Sequence, residues 1–329
     1  ESDLKKLEIE DYADEWMMAI AQVYYRAWAA QSDVRAAEAG LKRRERLLSL
    51  IQKKVFSGTA ERPDLLQVKS ALLGSKIRLT NARDALDSIW RDLVVTLKFP
   101  ASWMHGDPLL IPVELDNPAA SALSMCQRNA KPTPFSNTGV RKFDLMKSAA
   151  KLGLEIAENQ YSPQLNLSLV MGGNGVDRVD AGESQREAFN AQHPNYTAML
   201  SLKVPWSHFK EKAQALQTFS NKETADSRYA QAFAQFEVDW MSACEQLTHW
   251  QEKVASLQEV VNNQKERVTL EESRFRLGRV PLVNVIQAGD DQTDAESNLA
   301  QTQVQFRLNS WKVRRMVGLI KPYLEGLQK

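Results

Sequence analysis

The residues best able to do chemistry are few and far apart. Four histidines, His105, His193, His208 and His249, are scattered along the 329 residues and read as surface or loop side chains rather than a metal-ligand set. The two cysteines, Cys126 and Cys244, have no paired spacing, which argues against a metal knot or a disulfide framework. The one glycine-rich stretch, "GGNG" at 172–175, does not precede a helix at the spacing a phosphate cradle needs. No Ser/His/Asp order and no paired carboxylates stand out, and coiled helices make poor clefts. The sequence therefore predicts no enzyme, no cofactor and no metal. The composition is 43% apolar and 25% charged with a net charge of +1, which leaves no basic surplus for nucleic acid. No apolar run approaches the ~18 residues of a membrane-spanning helix. No secretory signal opens the chain at Glu1, so the sequence reads either as a cytosolic protein or as a mature or truncated chain.

What the sequence does have is long helices. Residues 12–57 contain no proline and one glycine, Gly40; residues 64–98 contain Gly74 alone; residues 209–277 contain neither glycine nor proline; residues 282–317 contain Gly289 alone. At 1.5 Å per residue the third segment, if unbroken, reaches on the order of 100 Å. Leu41, Leu48 and Val55, then Leu79, Leu86 and Leu93, recur about every seventh residue, the spacing of a coiled-coil seam. Ala, Ser, Gln and Thr dilute these seams, so the helices can approach one another closely.

The chain also repeats itself. Gly278 lies 220 residues after Gly58, and the same shift places Val285–Ala288 on Leu65–Val68, Leu299 on Leu79, Phe306 on Leu86 and Val313 on Leu93. Upstream it places Val254, Val261 and Val268 on Val34, Leu41 and Leu48. Each copy reads as a helix, a turn that starts at glycine, and an antiparallel return helix. Gly58 and Gly278 fit the left-handed residue that closes a helix, with Pro63 and Pro281 near the first turn of the helix that follows.

Between the copies the pattern changes. Residues 99–118 hold four prolines around an apolar centre, Leu109–Leu115, that predicts a short strand, and 119–139 read as polar and irregular. A helix is predicted over 142–161. Leu165, Leu167, Leu169 and Met171 then alternate with polar neighbours, and so do Tyr196, Ala198, Leu200, Leu202 and Val204, with a hydrophilic loop at 176–195 between them. Such a hairpin, with Tyr196 and Trp206 at its ends, suits either a membrane barrel with aromatic girdles or the half-buried hairpin of a soluble sheet.

The order helix, "SPQLNLSLV", loop, "YTAMLSLKVPW", very long helix, "RFRLGRVPLVNVIQA", long helix resembles the outer membrane efflux protein (TolC-like) family. The resemblance covers residues 12–319 and is most specific in "SRFRLGRVPLVNVIQAGDDQTDAESNLAQTQVQFRLNSWKVRRMVGL" at 273–319. It implies a mainly α fold: antiparallel helical hairpins forming a coiled-coil tunnel, a small β component of outer-membrane barrel strands, and two internal repeats. The segments would then be a first-repeat hairpin at 1–100, an equatorial linker at 101–140, a helix with the β-hairpin at 141–208, and a second-repeat hairpin at 209–329. The function implied is a passive export duct of a tripartite efflux pump or type I secretion system. It would be a homotrimer in the outer membrane and periplasm of a Gram-negative bacterium, in contact with outer-membrane lipid, a periplasmic adaptor and an inner-membrane transporter. On that reading Gly58, Thr59, Gly278 and Arg279 form adaptor-docking tips, and Asp64, Gln67, Asn284 and Gln287 line the tunnel constriction.

Two departures leave an alternative open. The chain begins late in the family pattern, so one hairpin and roughly a hundred residues of that pattern are missing, and three copies would supply too few strands for the usual barrel. This predicts a fragment or mature portion of a longer product, or a divergent member without a complete barrel. Acidic rings at the start of the return helix are kept by Asp64 but not by Asn284 and Gln287; Asp290 and Asp291 come later and read as a solvated helix face. The alternative is a non-channel coiled-coil scaffold derived from the same family.

Overall fold

The computed structural model describes residues 2–105, 118–127, 136–160, 162–173, 194–204 and 209–319. Among them are helices α1 (Ser2–Phe56), α2 (Arg62–Thr96), α3 (Pro118–Gln127), α4 (Thr138–Asn159), α5 (Phe209–Arg276) and α6 (Leu282–Met316). A 3-10 turn spans Ala101–His105, and two strands, β1 (Gln164–Gly173) and β2 (Pro194–Lys203), complete the set. The duplication is visible in the helix boundaries. α2 and α6 are each 35 residues long, and their ends, like the C-termini of α1 and α5, are related by the same 220-residue shift. Glycine and proline punctuation thus sets the hairpins, because nothing inside these helices interrupts the backbone ladder.

The chain divides into two compact units, one formed by Glu1–Arg141 with Phe233–Lys329, the other by Lys142–Ala232. In the first, apolar clusters among the described residues hold the helices. Near the hairpin turns, Leu47 and Ile51 of α1, Val68 of α2, Phe275 of α5, and Leu282 and Val285 of α6 form one buried cluster. Toward the other end of α6, Tyr25 and alanines 21 and 29 of α1 pack on Ala300, Val304 and Trp311, and Trp311 Nε1 donates to Tyr25 Oη at 3.2 Å. Between α1 and α2, Ala27 packs on Leu93. Burial of each large side chain in such a cluster contributes about 1.5–3 kcal/mol. The predicted α2 seam of Leu79, Leu86 and Leu93 is buried. On α1, Leu41, Leu48 and Val55 are half-buried and flank the fully packed row of Arg44, Leu47 and Ile51.

Two expectations from sequence are corrected here. Residues 119–139 are not irregular throughout: α3 occupies 118–127 and α4 begins at Thr138. Cys126 on α3 and Cys244 on α5 form a disulfide with Cα atoms 5.5 Å apart, so the absence of local pairing hid a long-range one. The strand expected at Leu109–Leu115, most of the 176–195 loop, and Trp206 lie outside the described residues.

In the second unit, β1 and β2 pair antiparallel with Leu167 opposite Leu200. There Lys222 and Lys147 both reach Asp226, at 2.9 and 3.6 Å, and Lys147 also lies over the Tyr229 ring, which ties α4 to the start of α5. The hydrogen bond from Lys222 holds the Asp226 carboxyl below its ordinary pKa.

Candidate tip and hairpin surfaces

Each hairpin turn is built by the same backbone device. Gly58 has φ 72° and Gly278 φ 71°. At the first turn, Gly58 N–H donates to Val55 O at 3.1 Å and Thr59 N–H to Lys54 O at 2.8 Å; at the second, Gly278 N–H donates to Phe275 O at 3.0 Å and Arg279 N–H to Arg274 O at 2.9 Å. This 6→1 and 5→2 pattern satisfies the last helical carbonyls and requires a left-handed residue, which glycine adopts without steric cost. Ser57 Oγ and Thr59 Oγ1 add bonds to Lys54 O at 3.0 and 3.1 Å. Gly58, Thr59, Gly278 and Arg279 are all exposed, and Phe56 beside them is 95% exposed. The turns are tied to each other by Lys54, whose Nζ donates to Phe275 O at 3.3 Å and sits over the Phe275 ring. Sequence reasoning missed Lys54, since its partner is 221 residues away.

The four residues assigned to a constriction begin the return helices in matched pairs. Asp64 is half-buried, and its Oδ2 accepts from Glu61 N at 3.4 Å, so it helps cap α2. Gln67, Asn284 and Gln287 are exposed on this chain. Gln287 Nε2 donates to Asp291 Oδ1 at 2.7 Å.

One turn or more further along, a polar clamp joins the first hairpin to the second. Arg44 is only 4% exposed; its Nη2 donates to Ile286 O at 2.6 Å and pairs with Asp290 at 2.8 Å. Arg43 donates to Thr293 Oγ1 at 2.9 Å. Burial pulls the Arg43 guanidinium down from its ordinary pKa. Asp291 pairs with Arg267 at 2.8 Å, joining α5 to α6. Asp290 and Asp291 are therefore partners in helix–helix ion pairs rather than a purely solvated face. A signal for the clamp existed: Gly289 is the single glycine inside α6, and a Cβ there would meet the Arg44 guanidinium at 3.5 Å.

Above the clamp a groove of about 650 Å³ opens between α1, α2 and α6. Alanines such as Ala30, Ala37 and Ala82 line much of it, and Arg78 and Asp294 bridge it at 2.9 Å. Burial raises the Asp33 carboxyl above its ordinary pKa of 3.8, opposed by a hydrogen bond from Ser297. Among the described residues no group of three or more His, Cys, Asp or Glu could hold a metal.

The hairpin of β1 and β2 has two unlike faces. Its register sets Leu165, Leu167, Leu169 and Met171 against Leu202, Leu200, Ala198 and Tyr196 on one side. Asn166 and Ser168, opposite Ser201 and Met199, are on the other. The seven large side chains of the first face are 63% to 73% exposed, so nothing among the described residues covers them. No helix among the described residues is long and apolar enough to cross a membrane, which has no bearing on strands.

Neither a protein-family model nor a curated protein sequence matches the chain. The fold is that of the helical-tunnel outer-membrane channels. The outer membrane protein VceC from Vibrio cholerae matches with a TM-score of 0.72 at 13% identity, over 96% of this chain and 72% of that one. The Campylobacter jejuni CmeC outer membrane channel matches at 0.71 and 12%, over 99% and 68%. The Neisseria gonorrhoeae MtrE outer membrane channel matches at 0.71 and 15%, over 96% and 69%. At such identities the likeness is one of fold.

Proposed function

We propose that this chain is a subunit of an outer-membrane export duct, serving an efflux pump or a type I secretion system in a Gram-negative bacterium. It acts without chemistry on its cargo. Three copies assemble so that β1 and β2 enter a shared barrel and the helical hairpins build the periplasmic conduit, with the Gly58 and Gly278 turns toward a periplasmic adaptor and its inner-membrane transporter. Asp64, Gln67, Asn284 and Gln287 line the narrow end. The observation that carries this reading is the uncovered apolar face of the β-hairpin. A face of Leu165, Leu167, Leu169, Leu200 and Leu202 has no covering partner among the described residues and matches the lipid side of a barrel strand, while its reverse side is mostly polar, like a lumen. The fold shared with outer-membrane channels supports it.

The test is insertion into lipid. The chain is expected to co-sediment with outer-membrane-like vesicles and to resist extraction by high salt. Leu167→Arg should weaken insertion by about 2–4 kcal/mol where the residue lies near mid-bilayer, whereas Ser168→Arg on the opposite face should have a much smaller effect. A wild-type chain that stays folded in water and ignores both vesicles and Leu167→Arg points instead to the coiled-coil scaffold.

A further inference from the structure

We propose that Cys126–Cys244 is a covalent tether that makes α3 a strap fastened to α5 and α6, and that the chain is a substrate of a disulfide-bearing thiol oxidase. The inference stands independently of the duct reading. α3 is ten residues of "PAASALSMCQ", too short and too poor in large apolar side chains to hold itself as a helix. Its attachments are lateral. Ala119 and Ala122 are buried, and Ser121 Oγ accepts from Arg314 Nε and Nη2 at 3.2 and 2.7 Å, which docks α3 on α6. Cys126, near its far end, is bonded to Cys244 on α5, next to the buried Ala243 and Leu247. The strap is thus fastened to one long helix by hydrogen bonds and to another by sulfur. These are the chain's only cysteines, so no alternative pairing exists within it. The bridge closes a loop of 118 residues, the range in which a cross-link most restricts the unfolded chain. Both cysteines are half-buried rather than sealed, which leaves them open to exchange.

The chemistry is thiol–disulfide exchange. The thiolate of one cysteine attacks the disulfide of the oxidase, forming a mixed disulfide and releasing one oxidase thiolate. The thiolate of the second cysteine then attacks the chain's sulfur in that mixed disulfide. The bridge closes, and the oxidase leaves as a dithiol that has taken up the electron pair and two protons. Such bonds persist in oxidising compartments.

Peptide mapping tests the bond first. Trypsin under non-reducing conditions should release residues 99–128 linked to residues 229–253 from the full chain isolated from an oxidising compartment, and as separate peptides after reduction. Free thiols at both cysteines in that material would overturn the proposal. Limited chymotrypsin digestion tests the strap. Reduction, Cys126→Ser and Cys244→Ser should each speed cleavage after Leu123 by about tenfold or more, while the α1–α2 fragments stay intact. The double serine variant should add nothing to either single one. Unchanged protection of Leu123 in both serine variants would show that packing alone holds α3 and would overturn the tether.

Discussion

Arg44 is the residue whose removal should cost most for its size. A guanidinium 4% exposed and bonded to both Ile286 O and Asp290 satisfies two groups at once, and it binds the first hairpin to the second. Arg44→Ala should destabilise by about 2–3 kcal/mol, the range for hydrogen bonds to a charged group, read as a lower midpoint in urea unfolding. Arg44→Lys should recover only part of the loss, because one ammonium lacks the planar fork that meets carbonyl and carboxylate together. Asp33 gives the opposite sign. Burial disfavours its charge, so its folded-state pKa lies above 3.8. The folded state is then most favoured below the ordinary carboxylate pKa, and that advantage is lost as pH rises through the raised value. Asp33→Asn should therefore raise the melting temperature at neutral pH, with the gain fading as the pH falls toward 4. A gain that grows in acid would contradict the assignment.

At the scale of elements, the helix endings form a matched set. α1, α5 and α6 close on glycines in left-handed backbone, at Gly58, Gly278 and Gly318. α2 closes the same way on Lys98, with φ 55° and the same two bonds, Lys98 N–H to Val95 O and Phe99 N–H to Val94 O. A non-glycine residue there costs about 1–2 kcal/mol, against about 0.5–1 kcal/mol of chain entropy for glycine. Lys98→Gly should stabilise by about 0.5–1 kcal/mol, and Gly278→Ala, which has open space at Cβ, should destabilise by a similar amount. Thermal melts of the two variants moving in the same direction would refute this. The hairpins were legible in the sequence because glycine and proline break helices locally, and the strands because side chains alternate. α3 was not legible, since a run of Ala and Ser has no apolar period and becomes a helix only through its contacts on α6 and its bond to Cys244. Arg44 was missed for a related reason: a charged residue in "LKRRERLL" counts as polar in any periodicity, and its partners are more than 240 residues away.

For the whole molecule the question is assembly. Leu66, Leu73 and Ile77 along α2 are 56% to 61% exposed, and Val260 and Leu270 on α5 are also uncovered. Helices with apolar residues on more than one side ask for neighbours. Light scattering in detergent should report a trimer. Gly278→Asp should keep that trimer and its membrane insertion while abolishing export in cells, because the turn is exposed and, in the proposed duct, faces the adaptor. Normal export by this variant would remove the docking role from the tips, and a stable monomer would remove the duct.

The gapless 220-residue duplication has a consequence for how order is written into the chain. Positions that agree between the copies, such as Gly58 with Gly278 or Leu93 with Val313, serve any hairpin of this kind. Positions that disagree tell the two apart. Arg44 corresponds to Gln264, and Ile51 to Glu271, so the first hairpin carries the buried cation and the second does not. Exchanging the hairpins would keep both turns and the length of the return helices but leave Asp290 facing the wrong side chain. The sense in which one hairpin follows the other is thus encoded in a small set of mismatches, and the shared residues could be swapped freely without disturbing it.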